Sequence, residues 1–136
     1  MKINKLRFGI FIIAVISIIV AIILATGKKY TLVIKDVENI ASVVSQKNTS
    51  GGKIEVSSRG LILEIVENIT SERTTKTKSV NDTPNCEEYY KVTFVETNQV
   101  IYVYEKDGQC YIEEPYNGIY EITRDEFDKI MQYLSF

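Results

Sequence analysis

The stretch Val100–Ile122 reads VIYVYEKDGQCYIEEPYNGIYEI and contains two turn signals, Asp107-Gly108 and Asn117-Gly118. Asp-Gly and Asn-Gly dipeptides favour the tight turns of β-hairpins because both positions accept a positive φ at low cost. The stretch therefore predicts three antiparallel strands in succession, the middle one running over Tyr111–Tyr116. Pro115 cannot donate a hydrogen bond to a ladder, so it marks an edge or a bulge just before the second turn.

The first turn also sets the register of its two strands. A two-residue turn at 107–108 pairs Lys106 with Gln109, Tyr104 with Tyr111 and Val103 with Ile112. Because side chains alternate along a strand, the core face is predicted to carry Ile101, Val103, Cys110 and Ile112, and the opposite face Tyr102, Tyr104 and Tyr111.

Further elements flank this stretch. Upstream, Tyr90, Val92 and Phe94 predict one face of a strand, and 40–46 and 53–57 predict two strands joined by a Gly-rich turn. A helix capped by Ser57 or Ser58 is indicated by apolar residues at helical spacing, namely Leu61, Ile62, Ile65, Val66 and Ile69. A strand stays open for this segment, because Gly60 and the β-branched residues disfavour a helix. Downstream, Thr123 and Glu126 form a capping box before a second apolar stripe: Phe127, Ile130, Met131 and Leu134.

The run from Phe8 to Thr26, FGIFIIAVISIIVAIILAT, contains no charged residue. As a helix it would rise about 28 Å, which matches the hydrocarbon core of a bilayer. The run predicts a transmembrane helix that binds the chain to a membrane. A cleaved signal peptide, with cleavage before Lys28 and secretion of the remainder, stays open. Basic residues before the run outnumber those after it, which predicts a cytoplasmic N-terminus and a C-terminal domain outside the cell membrane.

The predicted fold class is therefore α+β: an N-terminal transmembrane helix followed by a small antiparallel sheet domain with a preceding helix and a capped C-terminal helix. The predicted divisions are a cytoplasmic head (1–7), a transmembrane helix (8–27), a juxtamembrane segment (28–35) and an extracytoplasmic domain (36–136).

Charge and composition narrow the function classes. All 18 acidic residues and 13 of the 16 basic residues follow the apolar run, which leaves that part of the chain at −5. A nucleic-acid partner is disfavoured because it requires a basic surface. The chain contains no His, the commonest general base and metal ligand, and no metal-binding or cofactor-binding spacing is present. Cys86 and Cys110 form a disulfide or stay free thiols; both readings remain open.

Two segments resemble the signature stretches of domain-of-unknown-function family 5301. They are Ser79–Pro84 (SVNDTP) and Tyr111–Tyr120 (YIEEPYNGIY). The resemblance implies a small bacterial domain, often placed behind a single N-terminal membrane span, and implies no specific activity. The family usually has Gln where Glu114 stands and lacks Cys86 and Cys110, so a disulfide would be particular to this chain.

The functional prediction is a non-enzymatic interaction module for an unidentified peptide, cell-envelope component or membrane partner protein. Exposed tyrosines and polar turn residues suit such a surface. The candidate binding residues are Asn81, Asp82, Thr83, Pro84, Tyr111, Glu113, Tyr116 and Tyr120. Two structural alternatives stay open. In the first, the two helices cover this face, so that Tyr102, Tyr104 and Tyr111 are core residues. In the second, Asp82, Thr83 and Pro84 only shape a turn.

A second hypothesis is a small hydrolase or cation-dependent enzyme that uses Glu113, Glu114 and Glu121. Paired carboxylates support acid–base chemistry when they lie close together. Adjacent residues on a strand point to opposite faces, however, so a solvated acidic rim is the simpler interpretation.

Overall fold

The computed structural model describes residues 5–25 and 27–135, with side chains described over 9–23 and 27–135. Three helices are α1 (Lys5–Ala25), α2 (Arg59–Ile69) and α3 (Arg124–Leu134), and a short 3-10 turn covers Val37–Asn39. The strands are β1 (Val43–Lys47), β2 (Lys53–Val56), β3 (Tyr90–Phe94), β4 (Gln99–Lys106), β5 (Gln109–Glu114) and β6 (Gly118–Ile122). They form one antiparallel sheet in the order β2-β1-β3-β4-β5-β6.

The β4–β5 hairpin confirms the register predicted from its turn. Tyr104 pairs with Tyr111 and Val103 with Ile112. Asp107 and Gly108 have φ values of 52° and 78°, the positive pair that a tight hairpin turn needs.

The second turn differs from the prediction. β5 ends at Glu114 rather than at Tyr116, and the loop covers residues 115–117. Pro115 has no N–H to continue the ladder, and the Asn117 N–H closes the loop on the Glu114 carbonyl at 3.0 Å. Tyr116, at φ 61°, takes the left-handed conformation that was expected at Asn117.

Helices α2 and α3 cover one face of the sheet and form the core with it. That face presents the side chains predicted for it, including Val92, Phe94, Ile101, Val103, Cys110 and Ile112, all buried. The Ser45 hydroxyl donates to the Leu134 carbonyl at 2.7 Å and fixes the end of α3 against β1. In α2 the stripe is buried except for Leu61.

The predicted capping box at α3 is confirmed. The Glu126 N–H donates to Thr123 Oγ1 at 3.2 Å, and the Thr123 N–H donates to a Glu126 carboxylate oxygen at 2.7 Å. Two backbone donors at the start of the helix are thereby satisfied.

The segment predicted as juxtamembrane packs into the domain. Leu32 and Ile34 are buried in the core, and Tyr30 exchanges two backbone hydrogen bonds of 2.8 Å with Arg73. Residues 28–35 are therefore part of the folded unit.

Arg73 lies in a stretch whose polar composition predicts an exposed connection, yet it is buried. Its guanidinium donates to the carbonyls of Asn68, Ile69 and Ser71. These bonds satisfy carbonyls that the end of α2 leaves without helical partners. Burial lowers the pKa of Arg73, and the Glu126 charge partly opposes that shift.

The N-terminal part of the sequence prediction requires a correction. None of the helices within the described residues has both the length and the apolar character that a membrane crossing needs. The predicted transmembrane helix over 8–27 is therefore wrong, and the fold class is α+β without it. Residues 1–4 of the predicted head lie outside the described residues, as do Thr26 and Phe136.

Candidate functional site

The sheet face opposite α2 and α3, here called the tyrosine face, carries Tyr102, Tyr104, Tyr111 and Glu113. Tyr102 lies opposite Glu113, and Tyr104 lies opposite Tyr111. Tyr102 and Tyr104 are only 6% and 5% exposed. Both rings are therefore buried, but the helices that the alternative placed over this face lie on the other side of the sheet.

The cover over this face is a connecting segment, 79–89, and not a helix. The Tyr89 ring packs edge-on against Tyr102, with 5.2 Å between centroids. Cys86 lies close enough to Tyr104 to affect its ionisation, and Tyr104 stacks on half-buried Tyr111 at 5.4 Å. The segment forms a second, smaller packed layer on this side of the sheet.

Glu113 fastens this segment to the sheet. It is 2% exposed and accepts hydrogen bonds from the Ser79 hydroxyl at 2.6 Å and from the Tyr104 hydroxyl at 3.0 Å. Ser79 Oγ also accepts the Tyr116 N–H at 3.2 Å. A buried carboxylate costs free energy unless donors surround it, so these two hydroxyls are what makes its burial tolerable. Glu113, predicted as a binding residue, is thus placed inside the fold, where it acts as a latch.

The latch changes the acidity of its tyrosine. Burial raises the pKa of Tyr104 well above its ordinary value of 10.0, and the charge of Glu113 and the hydrogen bond to it raise it further. Burial also raises the pKa of Tyr102. Both phenols therefore stay protonated under conditions in which an exposed phenol ionises.

Tyr104 should make stability fall at high pH. The folded protein holds this phenol proton more tightly than the unfolded chain, so the stabilisation is complete below the unfolded pKa of about 10 and is lost as pH rises above it. We expect the free energy of unfolding to fall more steeply above about pH 10 in the wild type than in Tyr104→Phe. Urea titrations at several pH values measure both slopes. A difference between the two free energies of unfolding that stays constant with pH reports only the lost hydrogen bond. Equal pH slopes in the wild type and in Tyr104→Phe would therefore contradict the prediction.

The other predicted binding residues differ widely in accessibility. Asn81, Asp82 and Thr83 are exposed, whereas Pro84 is buried. Tyr116 is 65% exposed, and its hydroxyl donates to Asp82; this bond raises the pKa of the Tyr116 phenol.

Tyr120, also predicted as a binding residue, lies inside the fold. It is 1% exposed and belongs to the hydrophobic core on the face that the helices cover. The alternation along β6 places it there, because it pairs with Ile112 of the core face.

The carboxylates considered for catalysis do not form one site. Glu113 and Glu114 follow each other on β5 and point to opposite faces. Glu114 accepts a hydrogen bond from the Gln99 side chain at 2.8 Å and another from Asn117. Glu121 is exposed on β6. Over the described residues, no three Cys, Asp or Glu side chains converge in a way that suits a metal ion.

The two cysteines are free and lie on different faces of the sheet. Cys86 is half-buried in the segment over the tyrosine face, and Cys110 is buried under the helices. Burial raises the pKa of both thiols, which lowers their reactivity as thiolates. The structure does not bring the two sulfur atoms together.

The sequence analysis missed an open cleft of about 900 Å³ between the segment 84–88 and the β4–β5 turn. We call it the acidic cleft. Its charged lining residues are Glu87, Glu88, Glu105 and Asp107, with Lys106 as the one cation among them. The two acidic pairs are separated by seventeen or more positions in the chain, and only the path of the segment over the tyrosine face brings them together.

Two of these carboxylates already have partners. Glu88 forms a 3.1 Å ion pair with Lys47, and Glu105 forms a 2.8 Å ion pair with Arg124. Glu87 and Asp107 are exposed and are the acidic groups best placed to meet a ligand.

Known proteins support the fold. The profile of family DUF5301, described as "Domain of unknown function (DUF5300)", matches residues 28–121. The solved "NMR structure of the protein from Ruminococcus gnavus" is similar at 27% identity and a TM-score of 0.59, over 71% of this chain and 99% of that one. No curated protein matches the chain. The match over most of the folded unit confirms the resemblance carried by the two signature stretches, and the chain belongs to the DUF5301 family.

Proposed function

We propose that this domain is a non-enzymatic binding module that takes a positively charged peptide segment in the acidic cleft. The observation that carries the proposal is the cleft itself, a volume of about 900 Å³ whose lining residues include four acidic ones and one lysine; Glu87 and Asp107 are the two acidic residues among them without an ion pair described above. A peptide rich in Lys or Arg complements that charge. The placement of the domain outside the cytoplasm stays a prediction.

The charge of the whole chain after the apolar run supports the same class of ligand. Its excess of acidic residues, net −5, produces a negative field that attracts cations from a distance. Because the cleft is open to solvent, we expect binding that weakens strongly with salt.

An aromatic residue directly follows the cleft residues 84–88 in the chain. Tyr89 follows Glu88 directly, is half-buried, and is held edge-on by Tyr102. A ring that is already fixed loses little side-chain entropy when a partner packs on it.

The divergence of Glu113 and Glu114 favours binding over two-carboxylate catalysis. One is the buried latch and the other is hydrogen-bonded to side chains on the opposite face. Two-carboxylate chemistry needs both groups at one reacting centre.

The test measures fluorescence anisotropy of a labelled oligolysine peptide with the full chain at low salt. We expect the double variant Glu87→Gln/Asp107→Asn to bind roughly fivefold more weakly, because two exposed carboxylates contribute modestly in a solvated cleft. The matched control is Glu38→Gln/Glu67→Gln, which removes the same charge from exposed positions elsewhere. Equal weakening in both variants would show that only the net charge acts and would contradict a specific cleft.

A further inference from the structure

We propose that the outer edge of β2 pairs with the same edge of a second copy of this chain, antiparallel and about a two-fold axis. The two edge strands of the sheet differ in whether another segment bonds to their outer side. At the β6 edge, Thr77 and Ile119 exchange backbone hydrogen bonds of 2.9 and 2.8 Å. At the β2 edge, no segment among the described residues pairs with the strand. An unpaired edge is a ready template for another strand.

The hydrogen-bond pattern of β1 shows which groups of β2 face outward. The Asn48 N–H donates to the Tyr89 carbonyl at 3.1 Å and the Val95 N–H donates to the Ser42 carbonyl at 2.9 Å. Even-numbered residues of β1 therefore bond to β3, and the odd-numbered residues between them bond to β2, since these directions alternate along a strand.

Applied to β2, the same alternation identifies its free groups. Val43 pairs with Val56, and Ser45 pairs with Ile54. The backbone N–H and C=O groups of Val56 and Ile54 therefore bond to β1. Lys53 and Glu55 direct theirs toward solvent. An incoming strand must bond to these two residues.

Charge then selects the register. In a symmetric antiparallel pair the bonding residues can meet in three ways near the centre of this short strand. Centring on Lys53 places two ammonium groups opposite each other, and centring on Glu55 places two carboxylates opposite each other. Centring on Ile54 places Lys53 opposite Glu55 twice, and opposite charges in cross-strand pairs are stabilising.

The same register brings an apolar pair together at the axis. Ile54 is half-buried and packs at the margin of the hydrophobic core, on the face that α3 covers. Two copies of Ile54 meet as a non-hydrogen-bonded pair, with their Cα atoms about 4.5 Å apart. The interface is small, so we expect a weak dimer that forms at high protein concentration.

Sedimentation equilibrium of the full chain tests this arrangement by charge reversal. Lys53→Glu alone and Glu55→Lys alone each produce two like-charge pairs, and we expect the dissociation constant to rise about tenfold or more. The double variant Lys53→Glu/Glu55→Lys restores both attractive pairs and should restore the dimer. An equimolar mixture of the two single variants should also form dimers, because each supplies what the other lacks.

The matched control is Lys91→Glu, the same change at an exposed position of β3, which should leave association unchanged. Association through the apolar helix α1 would be unaffected by all of these variants and would overturn the proposal. A monomer throughout the accessible concentration range would overturn it as well.

Cross-linking supplies a second measurement. In a Cys86→Ser background, Ile54→Cys places two thiols at the axis, within the range for a disulfide, whereas Glu55→Cys places them farther apart. We expect an oxidised dimer from position 54 at a much higher rate than from position 55. Equal rates would show random collision rather than the stated register.

Discussion

Replacing Phe94 by Ala is expected to lower the free energy of unfolding by about 4 kcal/mol. Phe94 is 0% exposed and lies on β3 between its partners Val43 and Gln99, under the helices. The change removes the apolar contact area of the ring and leaves a cavity that rigid neighbouring strands fill poorly.

That loss is a large share of the roughly 5–15 kcal/mol that stabilises a domain of this kind. Urea unfolding followed by circular dichroism measures it. The control is Tyr116→Ala, which removes a similar ring from an exposed loop and should cost about 0.5 kcal/mol. A Phe94→Ala cost near that of the control would show that β3 does not lie under the helices.

Glu113→Ala should cost about 3 kcal/mol and should also loosen the segment over the tyrosine face. The substitution leaves the hydroxyls of Ser79 and Tyr104 buried without their acceptor, and each unsatisfied group costs about 1–3 kcal/mol. Hydrogen exchange at Tyr116 gives a local readout, because its N–H donates to Ser79 Oγ.

Glu121→Ala is the matched control, since it removes an exposed carboxylate from the neighbouring strand and should cost about 0.5 kcal/mol or less. Glu113→Gln keeps the shape and one acceptor and should fall between the two. If Glu113→Ala left both stability and exchange at Tyr116 unchanged, the latch would have no role in the fold.

Much of the fold could be predicted from residues that lie close together in the chain. The positive φ values at Asp107 and Gly108 and the capping box at Thr123 depend on residues close in the chain, and both were predictable from turn and cap chemistry. The register of β4 and β5 followed from that turn alone. The second turn was misplaced because Pro115 stops the ladder before the Asn-Gly pair is reached.

Features that depend on distant segments were not predictable in the same way. The placement of β1 between β2 and β3 depends on packing across the sheet, and no local signal encodes it. Glu113 would be assigned to the surface by its type; its burial depends on a hydroxyl 34 positions earlier. The acidic cleft depends on the same segment, so sequence reasoning named candidate residues beside it and missed its lining.

The exchange of backbone bonds between Tyr30 and Arg73 has a mechanical consequence. The Lys29–Glu72 ion pair of 3.6 Å lies directly beside it, and the Arg73 side chain donates to carbonyls at the end of α2 at the same place. Tension applied along the N-terminal helix would load this junction before it reached any strand of the sheet. Arg73 therefore helps to hold the domain together against a pulling force applied through the N-terminal helix.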